Sequence, residues 1–135
     1  MSAERRLTVS AWTFIVSALF AGSVPFTDFL PNHAFDETWP GHARFHIMMA
    51  ASHLFALALL TILIAWFPFR AGRPWSWFAL GLYWIFGLGL IPLIAYWQGS
   101  GPPMRPLVLV SLALLATLAA LVFSWRPIFR PRAPL

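Results

Sequence analysis

The sequence predicts an all-α integral membrane domain, a bundle of four transmembrane helices with both termini on the cytoplasmic side. Three observations carry that expectation. Hydrophobic residues make up 60% of the 135-residue chain and charged residues only 10%, far from the balance of a soluble globule. Four apolar runs, at residues 7–24, 45–67, 75–97 and 107–125, have about the length needed to cross ~30 Å of hydrocarbon as helix, which takes ~20 residues. The basic residues, all arginine, are distributed unevenly between the ends of those runs: Arg5, Arg6, Arg70, Arg73, Arg126, Arg130 and Arg132 fall on one side of a four-span layout, and only Arg44 and Arg105 on the other. An excess of arginine marks the cytoplasmic side.

The first run, "LTVSAWTFIVSALFAGSV", follows a charged start and also has the layout of a secretory signal. Ala18 and Gly22 give it a small-xxx-small spacing suited to helix packing, so it is read as a retained span. Pro25 and Pro31 mark its exit into a first outer loop, which carries Asp28, His33, Asp36, Glu37 and His42. The second run begins with "WPGHARFHIMMAASHLF", where Pro40 suits a first helical turn and places the helix start at about Trp39. "FPFRAGRP" separates it from the third run, whose glycines in "GLYWIFGLG" suit close helix contact. "QGSGPPMRP" precedes the alanine-rich fourth run, and "RPIFRPRAPL" reads as an extended cytoplasmic tail. Trp39, Trp66, Trp75, Trp97 and Trp125 fall near run ends, where an amphipathic ring sits between headgroups and chains. Tyr83 and Tyr96 read as packing side chains that are also available to line a pocket.

The composition excludes several functions. Without cysteine there is no disulfide framework, thiolate nucleophile or cysteine metal site. The net charge of +5 comes from short arginine clusters rather than a basic stripe or recognition motif, so nucleic acid is not an expected partner. No nucleophile elbow accompanies Ser23 or Ser52, and no HExxH pairing is present.

Three of the four histidines lie in the opening of the second run. At about 100° per residue, His42, His46 and His53 fall within a sector of roughly 40°, with Met49 beside them and Arg44 nearly opposite. His42 and His46 have the i, i+4 spacing that lets two imidazoles hold one metal ion, zinc or iron by ligand chemistry, with His33, Asp28 or Asp36 available to complete the shell. In a metal-free alternative His46 is the general base or acid and Asp28 orients it. His53 lies roughly 10 Å deeper than His46 and is expected to face the bundle interior, finding a partner there as a supporting donor or proton relay.

The segment "DETWPGHARFH", with "FTDFLPNHAF" before it, resembles a family of small four-span membrane proteins of bacteria and fungi. That resemblance draws attention to Asp28, His33, Trp39, Pro40, His42, Arg44 and His46. A looser resemblance, through "TDFLP" and the aromatic later spans, is to the four-span fold of the sterol isomerase and sigma-2-receptor type. It implies acidic and aromatic groups engaging a hydrophobic amine or carbocation-like intermediate, although the second run here has no carboxylate. The expected object is thus a multi-pass protein of a bacterial inner membrane, 1–135 forming one domain. Its polar His/Asp site near the outer leaflet would bind a metal ion or transfer protons beside a small hydrophobic molecule. The contrasting expectation is a non-catalytic accessory subunit or lipid-binding scaffold, as a homo-oligomer or within a larger membrane complex.

Overall fold

The computed structural model describes residues 1–90, 97 and 104–130. Among them every regular element is helical. Helix α1 spans Ala3–Val24, α2 Gly41–Ile64, α3 Pro74–Leu82 and α4 Met104–Phe129. Wide-turn helical segments extend the first three, over Pro25–Ala34, Ala65–Phe69 and Tyr83–Leu88. With those extensions, Ala3–Ala34, Gly41–Phe69 and Val108–Phe129 are long and apolar enough to cross a membrane. The protein is a membrane-associated helical protein. The third expected span, 75–97, is helical over Pro74–Leu88, and its remainder at 91–96, with Tyr96, lies outside the described residues. So do the "GSGPP" segment, Arg132 and the rest of the tail from 131.

The first two expected breaks are present but begin later than their prolines, after Ala34 and after Phe69, and proline chemistry explains why. A proline ring clashes with the carbonyl four residues back and offers no N–H, which ends a regular helix or forces it to adjust. Here the chain widens instead, to an i→i+5 pattern that relieves the crowding. Pro25 begins one such segment and Pro31 lies inside it, and the Phe35 N–H closes it by donating to the Leu30 carbonyl at 3.0 Å. Asp28 and His33, expected in a loop, therefore stand on a helical continuation of α1. Pro68 is absorbed in the same way, the Arg73 N–H donating to the Pro68 carbonyl at 3.0 Å. Gly72, at φ +71°, then supplies the left-handed residue that turns the chain into α3. Pro40 caps α2 from outside rather than occupying its first turn. At the far end α4 continues through Pro127 to Phe129, four residues past its expected limit at 125, so that part of the tail is helix.

Neighbouring helices run antiparallel. The Ser10 hydroxyl on α1 donates to the Ala120 carbonyl on α4 at 3.1 Å, and the Trp77 indole N–H on α3 donates to Leu121 on the same helix at 2.9 Å. Against α2, the α1 residues Trp12 and Phe14 pack edge-on to Trp66 and Phe69, with centroids 5.4 and 5.5 Å apart. At the other end Phe26 meets Phe55 at 5.5 Å. Between these contacts Gly22 lies so close to α2 that a Cβ added there would be 2.8 Å from the Ala58 Cβ. The small-residue spacing read from the sequence does its packing here: Ala18, Gly22 and Ala58 are all buried. Leu7, Phe14, Phe69, Leu80 and Trp84 form the core, each no more than 2% exposed.

This alternation gathers Arg5, Arg6, Arg70, Arg73, Arg126 and Arg130 at one end of the bundle, where Arg70 stacks on Trp66 at 4.1 Å and Arg6 on Phe123 at 5.2 Å. A crevice lined by Arg6, Trp77, Phe123, Trp125 and Arg126 opens there. The three acids other than Glu4, and the histidines at 33, 42 and 46, belong to the opposite end.

Candidate functional site

Helix α2 sets the geometry of the histidines. Successive turns bring the i and i+4 side chains of its first stretch onto one face, and His42 and His46 turn toward each other there with their Nε2 atoms 3.0 Å apart and their rings edge to face at 4.4 Å. Both are exposed. One proton fits between the two Nε2 atoms, carried by one ring and accepted by the other. Charging both rings removes the acceptor and breaks the contact. A tetrahedral ion with bonds of ~2.0–2.1 Å would hold the same two atoms ~3.3–3.4 Å apart, a few tenths of an ångström from where they stand.

The other expected ligands are engaged elsewhere. Asp28 accepts a hydrogen bond from the Asn32 amide at 2.9 Å, one turn along the same helical segment. The His33 ring lies against Trp39, centroids 4.7 Å apart, with its Nδ1 buried and unpartnered among the described residues. Asp36 is held within its own turn: the Thr38 hydroxyl and backbone N–H donate to its carboxylate at 2.7 and 2.9 Å. Among the described residues no group of three His, Cys, Asp or Glu side chains is gathered where one ion could be held. The expected His/Asp cluster is therefore reduced to its two-imidazole part. The cause is the helical continuation through Pro31, which commits Asp28 to an i, i+4 partner that a loop reading does not bring into view.

Asp36 also has a measurable consequence. Thr38's hydroxyl, then its N–H, hold the Asp36 carboxyl below the usual carboxylate range, with His33 and Arg44 adding smaller effects in the same direction. A depressed folded value means that the turn's stabilisation is present above the unfolded carboxylate value, ~3.9, and is lost as pH falls through the lower folded value. Thr38→Val is expected to raise the Asp36 titration midpoint toward the ordinary range, followed by the carboxyl carbon shift in NMR. An unchanged midpoint would show that the hydroxyl is not the cause.

His53 departs from expectation in orientation. It is exposed rather than directed into the bundle, and its Nδ1 lies 2.7 Å from the Met49 carbonyl of its own helix. A carbonyl only accepts, so Nδ1 carries the proton, and in the neutral ring the Nε2 lone pair points outward. The Met49 carbonyl also receives the Ser52 hydroxyl at 2.9 Å. His53 thus satisfies its donor locally, and its acceptor faces away from the helix. Backbone acceptance of this kind is also the arrangement that fixes the tautomer of a ligating imidazole.

The residues that position this region without having figured as site residues in the sequence are Asn32, Thr38 and the Met49 carbonyl. The first two had a legible signal, an i, i+4 pair and an Asx-type turn. Comparison with protein-family models, curated proteins and solved structures gives no match to this chain.

Proposed function

We propose that the protein is a four-span membrane protein with cytoplasmic termini, and that His42 and His46, at the outer mouth of α2, form a binding site for a divalent transition-metal ion. The observation that carries this reading is the pair of Nε2 atoms converging at 3.0 Å, where an ion can replace the shared proton with little movement. Imidazole ligands suit zinc or iron. Water or further ligands complete the shell, because Asp28 is bonded to Asn32, the His33 ring is stacked on Trp39, and neither is gathered with the pair. An ion held there polarises a bound water or carbonyl. A small hydrophobic molecule arriving from the bilayer meets the pair beside the exposed ring of Phe45, which lies 5.8 Å from His46.

The same hydrogen bond supports a metal-free reading, in which His46 transfers a proton and His42, rather than Asp28, orients it. Metal analysis separates the two. Full-length protein, loaded with zinc or iron(II) and washed, is expected to retain the ion. His42→Ala/His46→Ala is expected to lose it, with affinity falling by more than the ~10–100-fold that removing a mere supporting partner costs. Equal retention by both proteins would overturn the metal reading, and no retention by either would leave proton transfer or a scaffold role. Thermal unfolding should be nearly the same for the two, since both rings are exposed.

A further inference from the structure

The histidine face of α2 continues far beyond the metal pair. His42, His46, Met49, His53, Ala56 and Leu60 follow one another at spacings of 4, 3, 4, 3 and 4 residues, and every one is exposed. That is the 3.5-residue period of a seam between two supercoiled helices. The face by which α2 joins its own bundle, through Ala51, Ala58, Thr61 and Ala65, is turned roughly 145° from the seam. α2 therefore presents a second packing stripe that the rest of the described chain does not cover.

Two features determine what covers it. Lipid tails offer nothing to the outward Nε2 of His53, nine residues further along the helix than Arg44, and an unpartnered polar group in hydrocarbon is costly. The occupant must therefore present a hydrogen-bonding group at that depth. The metal pair, for its part, supplies only two ligands, and the described residues add no third to it.

We propose that the occupant is a second copy of this chain, packed along the α2 seam, and that the two His42–His46 pairs together hold one divalent ion with four imidazoles. This rests on the metal reading of that pair. Two copies inserted with one topology are related by an axis along the membrane normal, so their α2 helices run parallel and each residue meets its own counterpart at the same depth. His42 and His46 of both chains then converge in two adjacent layers of the seam, which provides the four nitrogen ligands of a closed tetrahedral shell. Seven residues deeper, one water donating to both outward Nε2 lone pairs bridges the two His53 rings. Ala56, a small residue, lets the helices approach below them.

The absence of native cysteine makes the test clean. Leu60→Cys in the full chain, reconstituted in lipid and oxidised with iodine, is expected to form a disulfide-linked dimer, which requires Cα atoms within ~7 Å of each other. Val122→Cys, on the exposed outer side of α4, is expected not to. Ala56→Cys serves as the second seam probe should Leu60→Cys fold poorly. Alongside, the wild type loaded with cobalt(II) or zinc is expected to bind one ion per two chains. One ion per chain, with no more cross-linking at 60 and 56 than at 122, overturns the shared centre and leaves the single-chain site standing. Cross-linking at the seam with no ion bound overturns both the four-imidazole centre and the metal reading beneath it.

Discussion

Phe14→Ala is expected to destabilise the bundle by about 3 kcal/mol, the largest effect of any single truncation between α1 and α2. The Phe14 ring is fully buried and meets Phe69 edge to face at 5.5 Å, at the point where α2 widens around Pro68. In a soluble core such a truncation costs ~3–5 kcal/mol, part of it as lost transfer from water. Between helices already in a bilayer there is little water to escape, since lipid is as apolar as the core. The cost is then the cavity and the lost dispersion contacts, which places it at the low end of the range. Leu115→Ala, at an α4 residue that is 62% exposed, removes contacts made mainly with lipid and is expected to change stability by less than about 0.5 kcal/mol. Unfolding in mixed micelles, titrated with a denaturing detergent, measures both. Equal effects would mean that the Phe14–Phe69 contact is not part of the packed bundle.

The second large effect has the opposite steric sign. Gly22→Ala places a methyl 2.8 Å from the Ala58 Cβ, an atom too near the backbone to move aside without moving its helix. A cost of about 1–3 kcal/mol is expected, as for overpacking elsewhere, and Gly22→Leu should force α1 and α2 apart altogether. The decisive variant is the double exchange Gly22→Ala/Ala58→Gly, which moves one methyl across the interface and keeps the total volume. It should recover most of the stability that Gly22→Ala loses, so that the two changes are strongly non-additive. Additive destabilisation would show that the helices do not touch at this pair. The same measurement bears on the histidine site, because the Gly22–Ala58 contact fixes which face of α2 is left for His42, His46 and His53.

Particular residues show where the sequence was informative. Composition and run length were enough for an all-α membrane protein, because satisfying backbone polarity in hydrocarbon leaves a long apolar run little choice but helix. Ala18 and Gly22 announced a close helix contact, and the clustered arginines announced which run ends would meet at one end of the bundle. The i, i+4 spacing of His42 and His46 announced a pair, since helical geometry alone places such side chains together. These are local properties, set within one helix or by the bilayer.

What local pattern could not decide was where the helices end and which way their faces turn. Pro25, Pro31 and Pro68 read as stops, but each is carried inside a helix by a widened turn that also packs against a neighbour, so tertiary contact outweighed the local penalty. With that, Asp28 passed from a loop ligand to a helical partner of Asn32, and the cluster expected around the histidines came down to two. His53 illustrates the same limit: its spacing fixed its angle relative to His46, but only the packing of Gly22 on Ala58 decided that this angle points away from the bundle. Periodicity determines which residues share a face. Only the close approach of another helix determines whether that face is turned inward or outward.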